Sequence, residues 1–318
     1  MTRDATTSEI AELVERARRL RIRILTMVGT AKAGHLGGSL SAVELLTALY
    51  FRHLRVDPSN PGWPDRDRFI LSKGHATPGY YTTLSARGYF PDSWLETYDS
   101  VGSHLQGHPD MTKTPGVDMT TGSLGQGFSA SVGMCIGARL LGKSFRVVVI
   151  TGDGEMQEGQ AWEAAMYAGA RGLSNLVCIV DNNGLQLAST IHDGLPASPT
   201  PQKWEAFGWR VLECDGNDMA DVVRTLDPVL GRADDAGGPA HAGGLAPATS
   251  PALAGGPPAP PSGDRRPVAI IARTLKGKGV SFMEQVVKWH SNPPTRAEVA
   301  AALKELGAST AEVTPWLS

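Results

Sequence analysis

The sequence predicts an α/β protein, in which a mostly parallel β-sheet carries helices on both faces. Three observations point there. Arg146–Thr151 and Leu176–Val180 are short runs of β-branched and apolar residues, the pattern of strands buried on both faces. Met156–Arg171, between them, has the length and apolar spacing of a crossover helix, which makes the three a βαβ unit. Each strand then ends in a turn signature, Gly152-Asp153-Gly154 and Asp181-Asn182-Asn183-Gly184.

Ligands of open α/β sheets lie outside the carboxyl ends of the strands, so both turns are expected to face one crevice. Asp153 offers a carboxylate there, and Asn182 and Asn183 offer amide oxygens. Hard oxygen donors of this kind suit Mg²⁺ or Ca²⁺, which complete their shells with phosphates and water. The glycines let the backbone approach a diphosphate, and the following helix N-terminus favours an anion. The expectation is a metal-bridged diphosphate site. Either turn alone would be an ordinary D-G or N-G turn; their placement at the ends of consecutive strands favours the site.

The chain has 318 residues, 41% of them hydrophobic, and a formal net charge of −2. That suffices for one large α/β domain and gives no sign of nucleic-acid binding. Cys135, Cys178 and Cys214 fall in predicted helix or strand without metal spacing, so they read as inert core residues in a reducing compartment. The N-terminus lacks an apolar leader and no run of 18 apolar residues occurs. A soluble, cytoplasmic protein without membrane contact is expected.

Ser8–Gly34 reads as an amphipathic helix capped by Ser8, with Ile10, Leu13, Val14, Ala17, Leu20, Ile24 and Met27 on its apolar face and Arg16, Arg18, Arg19, Arg21 and Arg23 mostly solvated. Gly34, Gly37 and Gly38 around His35 suggest a flexible turn, and Ser39 or Ser41 the cap of the next helix. Arg68–Ser72 reads as a strand, with His75 in the turn beyond it. His108 precedes Gly122-Ser123-Leu124-Gly125-Gln126-Gly127, a glycine-rich entry to a helix spanning about 128–141. No strand immediately precedes that entry, so it is not a dinucleotide fingerprint. Further strands are expected at Trp209–Cys214 and Pro267–Arg273, and helices at Asp218–Val229 and Thr295–Leu306. The Gly/Ala/Pro-rich stretch 231–264 has too few large apolar residues to order itself and is expected to be a disordered insertion.

Taken together, KAGHLGGSLSAVELLTALY, DRFILSKGHA, GHPDMTKTPGVDMTTGSLGQG, GDGEMQEGQAWEAAM, NLVCIVDNNGLQ and TLKGKGVSFME…WH resemble the N-terminal half of transketolase, in particular the large subunit of the split, two-chain type. The blocks keep the family order over most of residues 8–295. The resemblance implies a thiamine-diphosphate-binding fold, with the chain as one diphosphate-binding domain over residues 1–318. It also implies a metal held by Asp153, Asn183 and the main-chain carbonyl of Leu185. Gly154 and His75 would meet the diphosphate, and Gly122, Ser123 and Leu124 the aminopyrimidine. His35 and His108 would face the sugar's reacting hydroxyls, while Lys276 and His290 return to cofactor and donor. Glu158 and Glu163 fall where the family keeps a carboxylate relay at its dimer interface, although Glu163 reads equally as a helix-surface charge. The implied activity splits a ketose between C2 and C3 and passes the two-carbon unit to an aldose. Imidazoles suit the proton transfers this needs at neutral pH.

The sequence departs from the family at Leu187–Thr190, where an acidic-glycine pair is usual. The family's catalytic glutamate and its sugar-phosphate grip belong to a pyrimidine-binding domain with no counterpart here. A partner subunit is therefore expected, two of each chain. The alternatives are another thiamine-dependent half-enzyme, of deoxyxylulose-phosphate-synthase or 2-oxoacid-dehydrogenase alpha type, or a non-catalytic cofactor-binding half.

Overall fold

A computed structural model describes residues 5–187, 189–193, 195, 199–233 and 264–317. Most of the expected insertion, residues 234–263, lies outside the described residues. Five strands, β1 (Arg68–Leu71), β2 (Val147–Gly152), β3 (Leu176–Asn182), β4 (Arg210–Asp215) and β5 (Val268–Arg273), form one sheet in the order β1-β2-β3-β5-β4. Every pairing is parallel. Val147 to Ile150 and Leu176 to Val180 are buried, as expected of strands covered on both faces.

The helices make the two outer layers. On one face lie α1 (Thr7–Ala31), α2 (Leu36–Ser41), α3 (Val43–Ala48), α4 (Thr77–Arg87) and α8 (Met219–Leu230), whose apolar residues share a core with Phe69, Leu71, Val148, Ile150 and Ile179. On the other lie α5 (Gln126–Leu140), α6 (Gly159–Ala170) and α7 (Pro201–Ala206), packed on Ile70, Val147, Val149, Cys178 and Val180. Trp204 and Trp209 stand edge to face there at 4.8 Å. The helix α9 (Arg296–Glu305) lies against α1, and the short α10 (Thr310–Val313) against α9. The three cysteines are buried and unpaired.

Several local expectations are corrected. α1 starts at Thr7, not Ser8, because Thr6 and Glu9 form a reciprocal capping box. Val14 is half exposed and Arg21 is buried; Arg21 bonds Glu44 at 2.7 Å and the Lys278 carbonyl at 2.9 Å, which satisfies its charge inside. The glycines after His35 are not a flexible turn. Gly37 and Gly38 lie inside the buried helix α2, and neither Ser39 nor Ser41 caps a helix. A Cβ on Gly37 would stand 2.8 Å from Lys276 Cγ and 3.1 Å from the Trp289 carbonyl, so close packing overrides glycine's weak helix propensity. The predicted helix at Met156 begins as a 3₁₀ turn over Glu155–Gln157 and becomes α-helical only at Gly159.

Candidate active site

Parallel pairing brings the carboxyl ends of β1, β2, β3 and β5 to one edge, and a cleft of about 450 Å³ opens there. The residue runs beyond these strands supply its walls: Lys73 and His75, Gly152 to Glu155, Asn183 with Leu185 to Leu187, and Lys276. His35 and Gly38 close it from the helical layer, Gly122 and Leu124 from the entry to α5, and His290 from the segment after β5. The two turns of the central βαβ unit therefore do face one crevice.

Asp153 is buried, and its two oxygens accept the amides of Gly154 (2.8 Å) and Gly184 (2.6 Å). Burial, with the neighbouring Asp181 carboxylate, pushes its pKa up to about 6. Asn183 Oδ1 accepts the Leu185 amide at 3.1 Å. No group of three or more His, Cys, Asp or Glu side chains arranged to hold a metal occurs among the described residues. The available donors are one carboxylate, one amide oxygen and main-chain carbonyls, an all-oxygen set that fits Mg²⁺ or Ca²⁺ completed by phosphate oxygens. A metal on these residues thus fits only together with an anionic ligand.

Around the other side of the cleft the histidines gather. The His35 ring lies 5.2 Å from His75, 5.4 Å from His290 and 6.5 Å from His108. Burial, reinforced by the neighbouring cations and rings, lowers His75 well below its usual pKa and lowers His35. His290 falls to about 3 through burial and Lys276. These three imidazoles are neutral at pH 7, and the buried Nδ1 of His35 has no partner. Lys276, brought down to about 8 by burial and Lys73, lies 2.7 Å from His290 Nδ1 and 3.2 Å from the Gln186 carbonyl.

The predicted residues do not all converge equally. His108 is exposed and lines an adjoining cleft with His35, Tyr98 and Asp99. Ser123 is exposed and does not line the main cleft; Glu158 reaches only its rim, and Glu163 is exposed on α6. Two buried groups were missed. Lys73 pairs with Asp181 beneath the cleft, where Asp181 also accepts Ser41 Oγ at 2.5 Å and Thr274 Oγ1. Glu155, next to the GDG turn, accepts three hydrogen bonds. A lone acidic residue after GDG carries no sequence signal of burial.

Residues 13–233 match the family model described as "Transketolase, thiamine diphosphate binding domain". The chain belongs to the transketolase family. It is 42% identical over 93% of its length to one of the named subunits of the apulose-4-phosphate transketolase of Actinobacillus succinogenes, covering 96% of that protein. It is 40% identical, over 93% of itself and 96% of the relative, to the 6-deoxy-6-sulfo-D-fructose transketolase subunit SqwG of a Clostridium species. Among solved structures, transketolase from Campylobacter jejuni aligns with 96% of the chain at a TM-score of 0.78 and 27% identity. Only 45% of that solved chain is covered, so this transketolase-family protein spans about half its length. The match carries the thiamine-diphosphate-binding α/β fold over to this chain.

Proposed function

We propose that the chain is the diphosphate-binding half of a two-chain transketolase. It would move a two-carbon ketol unit from a ketose or ketose phosphate to an aldose acceptor. The observation that carries this reading is the meeting of Asp153, Asn183 and Leu185 with His35, His75 and His290 in one cleft at the strand tips. In this reading Asp153, Asn183 and the Leu185 carbonyl hold Mg²⁺ or Ca²⁺, and Gly154, His75 and Lys276 meet the diphosphate. Gly122, Ser123 and Leu124 flank the aminopyrimidine, with Glu158 at its edge. Thiamine diphosphate, when bound, supplies the electron sink for breaking a carbon–carbon bond beside a carbonyl.

The protein's part is to place the sugar and move protons. His35, His108 and His290 would face the reacting hydroxyls, and the neutral imidazoles of His35 and His290 can take a proton from one oxygen and return it to another. With Lys276 charged, its bond to Nδ1 of His290 leaves the ring proton on Nε2.

A second polypeptide would supply the pyrimidine-binding domain, two copies of each chain forming the enzyme in the cytoplasm. Two relatives named as subunits support this. So do the exposed apolar residues Leu140, Leu141, Met166 and Tyr167 on and just beyond α5 and on α6.

The test mixes the purified chain with its partner subunit, thiamine diphosphate and Mg²⁺, and assays ketose cleavage against pyruvate decarboxylation. Ketol transfer only from the mixture supports the proposal. Full turnover by the chain alone, pyruvate decarboxylation in place of transfer, or an inert mixture would each overturn it.

A further inference from the structure

Glu155 takes no part in the chemistry above, yet it sits in the wall of the cleft with only 3% of its surface exposed. Oε1 accepts Ser72 Oγ at 2.5 Å and the Gly125 amide at 2.8 Å, and Oε2 accepts the Gly152 amide at 3.0 Å. Ser72 Oγ in turn accepts the Phe128 amide at 3.0 Å. The donors come from the end of β1, the end of β2 and the entry to α5. Each of these stretches runs directly into a part of the cleft: Ser72 into Lys73 and His75, Gly152 into Asp153 and Gly154, and Gly125 back into Leu124 and Gly122. Gly127 lies so close to Ser72 that a Cβ on it would be 2.8 Å from Ser72 Cα, so the α5 entry already rests on the β1 tip. Burying a carboxylate is costly unless its lone pairs are filled, and here they are filled by the segments that build the site.

We propose that Glu155 is a positioning residue that sets the distance between the Gly122–Gly125 segment and the Gly152–Gly154 turn. This rests on the reading above, in which those segments meet the aminopyrimidine and diphosphate ends of thiamine diphosphate. Removing the carboxylate leaves every cofactor-contacting group in place but frees the two segments to drift apart. Side-chain length is part of the function, because aspartate is one methylene too short to reach all three donors. Glutamine keeps an oxygen for Ser72 and Gly125 but turns its NH₂ toward the Gly152 amide.

The full-length wild type, Glu155→Gln, Glu155→Asp and Glu155→Ala are compared by two measurements. Hydrogen–deuterium exchange without cofactor reads the peptides spanning 122–128 and 150–155. Calorimetry reads thiamine diphosphate binding by the chain mixed with its partner subunit, in the presence of Mg²⁺. In E155A and E155D, exchange should quicken in both peptides and affinity fall about 10- to 100-fold, the usual cost of losing an orienting partner. E155Q should lie between, with the 122–128 peptide protected and the 150–155 peptide loosened. The proposal is overturned if the wild type binds and E155A binds equally well, or if E155A only melts earlier while its folded fraction keeps wild-type affinity. Failure of the wild type itself to bind would instead overturn the parent reading and, with it, the assignment to a cofactor.

Discussion

Asp153 carries the clearest conflict between stability and use. Its folded pKa, about 6, lies above the ordinary 3.8. A raised carboxyl contributes stability that is whole below the unfolded value and lost as pH rises through the folded one. At pH 7 the site without a cation therefore bears a charge the fold resists, and a bound cation relieves it. Mg²⁺ with thiamine diphosphate should raise the melting temperature more at pH 7.5 than at pH 5.5, and Asp153→Asn should abolish that rise and weaken binding on the order of 100-fold, about 2.7 kcal/mol. His53 shows the opposite sign. Buried, with Nδ1 2.7 Å from the Gly231 carbonyl, it titrates at about 4 instead of 6.5. Its contribution is whole above pH 6.5 and drains as pH falls to 4, on the order of 3 kcal/mol in all. Urea unfolding at pH 7 and pH 5 should show a smaller acid loss for His53→Gln than for wild type. The contrast also marks what was legible in the sequence. Histidines and turns are visible in a string because their company is local. The burial of Lys73, Glu155 and Asp181 is a product of four strand tips meeting, which no local pattern records. Lys276, expected with His290 to return to the cofactor, lies 2.7 Å from His290 Nδ1.

At the scale of elements, the segment Thr274–Val280 carries Lys276 to the cleft without regular structure of its own. It is held from below. Asn217, in the turn between β4 and α8, accepts the Leu275 amide on Oδ1 at 2.7 Å and donates to the Ser41 carbonyl at 3.1 Å and Glu44 at 3.2 Å. Glu44 then joins Arg21, whose guanidinium bonds the Lys278 carbonyl. Asn217→Ala strands these groups and should cost about 1–3 kcal/mol, seen in urea titration, with faster amide exchange confined first to 274–280. Strand and helix positions were legible because the β-branched runs and the 3.6-residue stripes are strong. Ends were less so: Thr6 displaced Ser8 as a cap, and Glu155–Gln157 entered α6 as a tighter turn. Arg21 could have been read correctly. It lies four residues after Ala17 and three before Ile24, within the apolar stripe, so its burial with a carboxylate partner was the consistent expectation. The helical run of Gly37 and Gly38 could not, since only the contacts with Lys276 and Trp289 make glycine the residue that fits.

For the molecule as a whole, the exposed apolar side chains Leu140 and Leu141 at the far end of α5 and Met166 and Tyr167 on α6 mark a face open to a partner. Leu140→Glu combined with Met166→Glu should leave the melting temperature of the isolated chain within about 2 °C, since exposed substitutions rarely matter to folding, and should abolish co-elution with the partner in size-exclusion chromatography. Retained co-elution would move the contact elsewhere. The opposite end of the sheet has a different use. There Arg146 bonds the Leu230 carbonyl, Arg52 pairs with Asp227 at 2.9 Å, and the Ala233 amide donates to the Arg52 carbonyl, while Asp264 and Arg266 pair just ahead of β5. The chain thus leaves α8 through an anchored segment and enters β5 beside a local ion pair, at the end of the sheet away from the cleft. Exchanging residues 234–263 for a brief glycine-serine bridge should leave melting temperature and cofactor affinity at wild-type values. That end of the sheet then offers an attachment point where a fluorophore or an affinity handle can be spliced in clear of the cleft.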